Sequence, residues 1–421
     1  MKFQIYTLGC KVNAYESEVM KEKLLKENFL YDEENPDIVI INTCSVTNIA
    51  DQKSRKMVRH FKGLHPGAII VVAGCSTLHL KDDYTNMGID ILIGNTNKSK
   101  IVTLIKEYLD SQKKVTIFEN TRKLEFEDME VSEFKTHTRA YIKIQDGCDN
   151  FCSYCVIPFV RGSIRSKNFE TALEEARMLV KNGHKEIVLT GIHTGSYGVG
   201  TDHDLTDLIH EMSKIDGLER IRISSIEITE LNDKFLNELK ENEKICNHLH
   251  VPLQAGSDEI LSLMRRKYNI DEFIAKINKI REIRPDISIT TDVIVGHPME
   301  SEELFLKTLE TVTKINFSKV HVFPYSKREG TLASRMEGQV PKNIKHERSK
   351  RLIEKSGELE QAYLKRFQGK TLQVLIEKDN TGLTSNYIKV KVLDNVLDNT
   401  LVNVLIKDIK DGYVLGEVEK F

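Results

Sequence analysis

Three short apolar runs each end on a cysteine, and this coincidence limits the fold more than any other feature of the chain. Phe3-Gln4-Ile5-Tyr6-Thr7-Leu8 leads into Gly9-Cys10, Asp37-Ile38-Val39-Ile40-Ile41-Asn42-Thr43 into Cys44, and Ala68-Ile69-Ile70-Val71-Val72-Ala73-Gly74 into Cys75. Runs this short, β-branched and nearly continuous are expected of strands buried on both faces of a parallel sheet. Helical patterns from Ala14 to Asn28 and from Ala50 to Leu64 separate them, so the order is βαβαβ. The cysteines stand 34 and 31 residues apart, about one βα unit each. All three thiols therefore leave the carboxyl edge of the sheet, where open α/β sheets bind ligands. One cysteine after a strand is usually a small core residue. Three in the same phase make a candidate cluster site, with zinc as the remaining possibility.

A second set of thiols is local. Cys148, Cys152 and Cys155 fall within the single loop Gly147-Cys148-Asp149-Asn150-Phe151-Cys152-Ser153-Tyr154-Cys155. A closed tetrahedral site needs four ligands, and no fourth cysteine or histidine stands nearby. A four-iron cluster held by three cysteines keeps one iron open to a substrate or cofactor. The plainer readings are a structural zinc knuckle completed from a distance and an ordinary group of loop cysteines.

The chain of 421 residues is long enough for two or three domains. Seven cysteines, an odd number, read as metal ligands or reduced thiols rather than a disulfide framework. No apolar run reaches membrane-spanning length and the N-terminus lacks the order of a signal peptide, so a cytoplasmic protein is expected. A net charge of -2 gives no global pull toward nucleic acid, and RNA contacts must come from local patches.

The C-x3-C-x2-C spacing, with Tyr154 just before the last cysteine, resembles the radical S-adenosylmethionine enzymes. The resemblance implies that Cys148, Cys152 and Cys155 bind three irons of a 4Fe-4S cluster. It also implies that the fourth iron takes S-adenosylmethionine and that Tyr154 lies against its adenine. Thr7-Leu8-Gly9-Cys10-Lys11-Val12-Asn13, Asn42-Thr43-Cys44-Ser45-Val46-Thr47 and Gly74-Cys75 resemble the N-terminal domain of the methylthiotransferases. With Asn48 to Arg55 they are closest to the branch acting on threonylcarbamoyladenosine (t6A) in tRNA. Cys10, Cys44 and Cys75 would then hold a second 4Fe-4S cluster. Ser76-Thr77-Leu78 departs from the family's usual Ala-Gln-like pair after the third cysteine.

Residues 119 to 136 are charged and poorly patterned and read as a linker. Beyond it, strands are expected at Tyr141 to Ile144, Glu186 to Leu189, Arg220 to Ser224, His248 to Leu253, Ile287 to Val295 and Lys319 to Phe323. Helices such as Ala172 to Asn182, Asp271 to Arg284 and Glu302 to Ile315 lie between them. Six strands suit the partial (β/α)6 barrel that the resemblance implies, with chemistry at the strand carboxyl ends. Gly191, Glu227 and Gly296 occupy strand ends where the superfamily binds S-adenosylmethionine; glycine admits close backbone approach and a carboxylate accepts hydrogen bonds. Cys246, His248 and His250 share one strand face, read as barrel lining before metal site. His184-Lys185-Glu186 and Gly369-Lys370-Thr371 imitate a deaminase and a phosphate-loop motif but lack the flanking residues. From Phe367 onward four or five short strands suggest a small β-barrel resembling the TRAM module.

The expected class is α/β: a flavodoxin-like open parallel sheet (1-120), a radical-SAM barrel (137-365) and a TRAM-like β-barrel (367-421). The expected function is tRNA methylthiolation, converting t6A beside the anticodon to its 2-methylthio derivative. A 5′-deoxyadenosyl radical would abstract hydrogen from adenine carbon 2, and the second cluster would deliver the sulfur. The alternatives are the same chemistry on isopentenyladenosine or on a ribosomal-protein aspartate and, more distantly, a non-catalytic iron-sulfur RNA-binding protein. Expected partners are tRNA and a reductant such as flavodoxin or ferredoxin, with no membrane and a monomeric chain. Basic stretches at Lys53 to Lys62 and Lys342 to Lys355 are candidate phosphate contacts. Arg161 and Arg165 are expected nearest the substrate.

Overall fold

The computed structural model describes residues 1-119, 124-134 and 138-419. Parts of the expected linker, 120-123 and 135-136, lie outside them.

The N-terminal sheet is wholly parallel and has six strands. Lys2–Thr7, Ile38–Thr43 and Ile69–Gly74 are the three cysteine-bearing runs, side by side in that order. Leu30–Tyr31 adds to one edge, and Ile91–Ile93 and Val115–Ile117 extend the other. Ile38–Thr43 is buried along its whole length, which explains its β-branched composition. Helices Lys11–Lys26 and Asn48–Leu64 cover the sheet, the second capped by the Thr47 hydroxyl accepting from the Ala50 N–H.

The central strands occur where the sequence predicts them. Ala140–Lys143, Glu186–Thr190 and Arg220–Ile223 form one parallel set, and His248–His250, Ser288–Val295 and Lys319–Pro324 the other. Bridges Ile221 to Ile245 and Ser225 to His250 join the two sets into one curved wall. Among the described residues the first and sixth strands do not pair, so the barrel is open on one side. Helix Lys11–Lys26 lies against the first strand there, and its Tyr15 and Val19, both fully buried, belong to the barrel's hydrophobic core. Burying two such side chains contributes roughly 1.5–3 kcal/mol each. The connecting stretch adds Met129, Val131 and Phe134 to the same core, and His184 holds it by accepting from the Phe134 N–H.

Helix Lys342–Lys365 packs on the sixth strand and hands the chain to a closed five-stranded barrel: Thr371–Lys378, Thr381–Thr384, Lys389–Val392, Tyr413–Val418 and Leu401–Lys410 in spatial order. Its interior is Val374, Ile376, Val390, Val404, Ile406 and Val414, alternate residues of short strands.

Candidate active site

The cysteine loop leaves the first barrel strand and is pinned on three sides. The Ser153 N–H donates to the Met264 carbonyl, the Ala333 N–H donates to the Ser153 carbonyl, and the Ser153 hydroxyl meets His297 Nε2 at 3.1 Å. Gly147 starts the loop at φ +74, and a Cβ there would stand 1.9 Å from the Ser163 carbonyl oxygen, so only glycine fits. Arg266 Nη1 lies 3.4 Å from Cys152 Sγ, and the same guanidinium pairs with Glu227. His193 Nδ1 stands 4.0 Å from Cys148 Sγ, with its Nε2 2.5 Å from Glu230. Burial pushes the Cys155 thiol up to about 12, with Cys152 and Cys148 adding to the effect. Cys148 and Cys152 thus stand close enough to Cys155 to act on it electrostatically.

Tyr154 lines a pocket of about 180 Å³ walled by Ile157, Ile294, Phe323 and Pro324, with Gln254, Asp292, Thr47 and Ser326 among its polar groups. Glu227 borders a smaller hollow of about 140 Å³ with Cys152 and His193. Gly191 lies over Gln145, whose Cβ would be 3.0 Å from an added methyl, and lines the largest cleft. At Gly296 the N–H donates to Glu300 and an added Cβ would strike the Lys345 side chain.

The other three cysteines converge at the sheet edge. Gly74 precedes Cys75 at φ +104, where a Cβ would stand 2.4 Å from the Thr43 carbonyl oxygen, and Gly9 precedes Cys10 in the same backbone form. Burial pushes the Cys44 thiol up to about 11, with Cys75 and Cys10 contributing. Ser76 and Thr77, the departure from the family pattern, are buried and satisfied: Ser76 bonds the Tyr84 hydroxyl and Thr77 donates to the Gly74 and Ile93 carbonyls. Among the described residues no three His, Cys, Asp or Glu side chains meet at single-ion spacing. Thiolates on three different irons of a cluster stand farther apart than three on one ion.

The two sets meet through Arg161. Its Nε lies 3.3 Å from Cys75 Sγ, and its Nη atoms donate to Glu16, Asp146 and Asn13. Cys75 packs on Val156 and Val160, in the segment that follows Cys155. Around this contact Lys98, Lys143, Arg161 and Arg165 pair with Glu16 and Asp146. Burial pushes Glu16 up, yet Arg161, Lys143 and Lys98 hold it well below the usual carboxylate range. Arg161 and Arg165 are only 1% and 8% exposed. The expectation that they lie nearest the substrate is corrected: both are consumed by buried carboxylates. A second clasp, Arg328 to Asp51 at 2.6 Å and to Ser45 at 2.8 Å, ties the loop after the sixth barrel strand to the Cys44 loop.

Beside Cys10 opens a cleft of about 680 Å³ bounded by Cys10, Lys11, Gly191, Ser225, Thr290 and Tyr387, one or more from each of the three structural units. The volume suits a small organic ligand. His248 and His250 line it and both bond the Thr290 hydroxyl, while Cys246 is buried. In the basic helix, Arg348 and Arg351 pair with Glu300 and Glu302, whereas Lys53, Lys56 and Arg59 form an exposed face. Sequence reasoning missed Arg266, Arg328, Glu16 and Tyr387, whose partners are all remote in the chain.

Residues 142-312 match the radical SAM superfamily, and residues 2-94 match a family described as uncharacterized protein family UPF0004. Threonylcarbamoyladenosine tRNA methylthiotransferase of Bacillus subtilis is 39% identical, over 98% of this chain and 94% of its own. The protein of that name from Thermotoga maritima is 41% identical over 89% and 86%. A tRNA-2-methylthio-N(6)-dimethylallyladenosine synthase of Acetivibrio thermocellus is 38% identical over 88% and 79%. In fold, the chain is similar to the radical S-adenosylmethionine methyltransferase TsrM of Kitasatospora setae, with TM-score 0.57 and 14% identity over 77% of this chain and 74% of that one.

Proposed function

The chain belongs to the radical S-adenosylmethionine tRNA methylthiotransferases, and from that premise we propose that it converts t6A beside the anticodon of tRNA to its 2-methylthio derivative. The observation that carries the reading is the packing of Cys75 on Val156 and Val160, which follow Cys155, so that the sheet-edge set abuts the segment of the loop set, on a chain 39% identical over 98% of its length to a t6A enzyme.

The cofactors of the superfamily are a 4Fe-4S cluster and S-adenosylmethionine. Cys148, Cys152 and Cys155 would hold that cluster, with the apolar pocket beside Tyr154 receiving adenine and with Glu227, Gly191 and Gly296 as further cofactor contacts. Cys10, Cys44 and Cys75 would hold a second cluster. The residues fit such a group: Arg161 Nε stands 3.3 Å from Cys75 Sγ, within a buried cluster of Lys98, Lys143, Glu16 and Asp146, and three thiolates on a four-iron core bring a charge of about -1 that this guanidinium can meet. When bound, these groups supply reductive cleavage of S-adenosylmethionine, hydrogen abstraction from the target carbon and the sulfur that replaces it.

The protein's own part is placement. Ser153, held by His297, Met264 and Ala333, fixes the loop; Arg161 and Arg328 fix the sheet edge against it; and the cleft excludes water from a target base. The three assigned domains are 1-120, 137-365 and 367-421. Among the described residues no helix is long and apolar enough to cross a membrane. We assign action as a cytoplasmic monomer fed by a one-electron donor such as flavodoxin or ferredoxin.

Dimethylallyladenosine is the second reading, favoured by the 38% identical relative acting on it. Mass spectrometry of tRNA nucleosides with and without the gene decides: loss of 2-methylthio-t6A supports the proposal, and loss of the isopentenyl derivative instead overturns it.

A further inference from the structure

Behind the cleft wall beside Cys10, buried cations outnumber the carboxylates they pair with. Lys11 follows Cys10 directly and lines the cleft, and among the described residues its ammonium has no hydrogen bond or ion pair. The groups acting on it are the Tyr387 hydroxyl, Arg139, Arg222 and Glu186. Arg139, Arg220 and Arg222 share Glu186 and Glu377, and Arg139 Nη1 and Arg220 Nε are buried without a hydrogen-bond acceptor. Four cations therefore face two carboxylates. Lys319, also on the cleft, is already paired with Glu360 at 2.9 Å.

Tyr387 reaches this wall from the C-terminal barrel in a left-handed backbone conformation, φ +65, which a bulky side chain rarely adopts. Its ring stacks on His248 at 4.7 Å and 23° and lies 4.7 Å from the Arg222 guanidinium. Thr190, Ser225 and Thr290 add neutral hydroxyls to the wall, and Lys389 a further cation.

Resting on the reading of this cleft as the nucleoside site, we infer that Lys11 and the Tyr387 hydroxyl receive the carboxylate of the threonylcarbamoyl group and so select t6A over an apolar N6 substituent. A site built to bind a charge rejects the analogue lacking it, because its own polar groups are left unpaired. The C-terminal barrel then contributes to substrate choice as well as to RNA contact.

The test uses holoenzyme and three anticodon stem-loops: unmodified, t6A-bearing, and the t6A methyl ester. Wild type is expected to bind and turn over the acid at least tenfold better than the ester. Lys11→Gln should weaken the acid roughly tenfold to a hundredfold, chiefly in KM, and bring acid and ester together, and Tyr387→Phe should do so more weakly. Equal weakening of all three RNAs by Lys11→Gln would assign Lys11 to backbone phosphate and overturn the inference. Should Lys11→Gln lose its iron, the ester comparison on wild type still decides: no discrimination overturns it. A wild type that leaves t6A RNA unmodified overturns the substrate reading itself, whereas modification of acid and ester alike overturns only this one.

Discussion

The two cysteine sets solve one problem by opposite routes. The loop set brings its thiols together through local chain, in a segment whose anchoring needs Met264, Ala333 and His297 but whose spacing is written in consecutive residues. The sheet-edge set has no local spacing; parallel strands at adjacent registers bring Cys10, Cys44 and Cys75 together, and buried charge from the neighbouring barrel holds the result. Charge around the loop set is partly open to solvent and built around Arg266 and Glu227, while that around the edge set is a fully buried network centred on Glu16 and Arg161. A site made by local chain can tolerate a mobile neighbour. One made by topology depends on its domain interface.

The largest expected effects separate the sets by function. Replacing Cys148, Cys152 and Cys155 together by alanine should abolish 5′-deoxyadenosine formation and reduce reconstituted iron from about eight to about four per chain. Replacing Cys10, Cys44 and Cys75 should also halve the iron, yet leave 5′-deoxyadenosine formation in place while methylthiolated nucleoside disappears. Methylthiolated tRNA from the second triple variant would break the comparison, and zinc in place of iron in either would break it sooner.

Next in size is the interface. Arg161→Leu removes the guanidinium that joins Glu16, Asp146, Asn13 and Cys75, and because Lys98, Lys143 and Arg165 still hold the carboxylates the cost should lie at or below the roughly 3–5 kcal/mol of a buried pair broken outright. Thermal melting should fall accordingly, and iron loss should be confined to the edge set. Arg266→Leu, at a more open pair, should cost less stability and act on cofactor affinity instead. Equal losses in both variants would mean that the two surroundings do not differ as described.

The cysteines and strands were legible because their signals are periodic or closely spaced. Six of six barrel strands and the three cysteine-bearing strands follow from short β-branched runs, whereas Leu30–Tyr31, Ile91–Ile93 and Val115–Ile117 are too short to show a period. The charge network was not legible. Glu16, Lys98, Lys143 and Arg161 look like ordinary surface residues in the sequence, and only packing helix Lys11–Lys26 into the open side of the barrel buries them together. For the same reason Arg161 was expected near RNA, since a basic residue after a cluster loop carries no mark of the carboxylates awaiting it. Tyr387 was hidden similarly, in a loop of a barrel with no net basic character.

Acid should loosen the loop set through its histidine anchor. Burial depresses His297 from 6.5 to about 4, so it stays neutral against Ser153 at neutral pH. As pH falls below about 6.5 the unfolded chain takes up a proton that the folded chain refuses until about 4. Stability therefore declines across that window, by up to roughly 3 kcal/mol, and does not change with this group above it. Denaturant melts of wild type and His297→Gln between pH 7 and 4 check this: the variant should lack this part of the slope. Parallel slopes would remove His297 from the account of how the loop is held.

The smallest effect concerns what the loop presents once it is held. Tyr154 lines the pocket of Ile294, Phe323 and Gln254, which Val46 and Thr47 of the Cys44 loop also border, so its ring can meet a cofactor base there. Stacking of an aromatic on a base contributes on the order of 1–3 kcal/mol, and Tyr154→Ala should weaken S-adenosylmethionine binding roughly tenfold to a hundredfold. Tyr154→Phe keeps the face and should bind nearly as wild type, which separates stacking from any role of the hydroxyl. Iron should stay at about eight in both variants, because neither removes a thiol. Loss of iron in Tyr154→Ala would mean that the ring supports the loop rather than the cofactor, and the local set would then depend on packing as much as the edge set does.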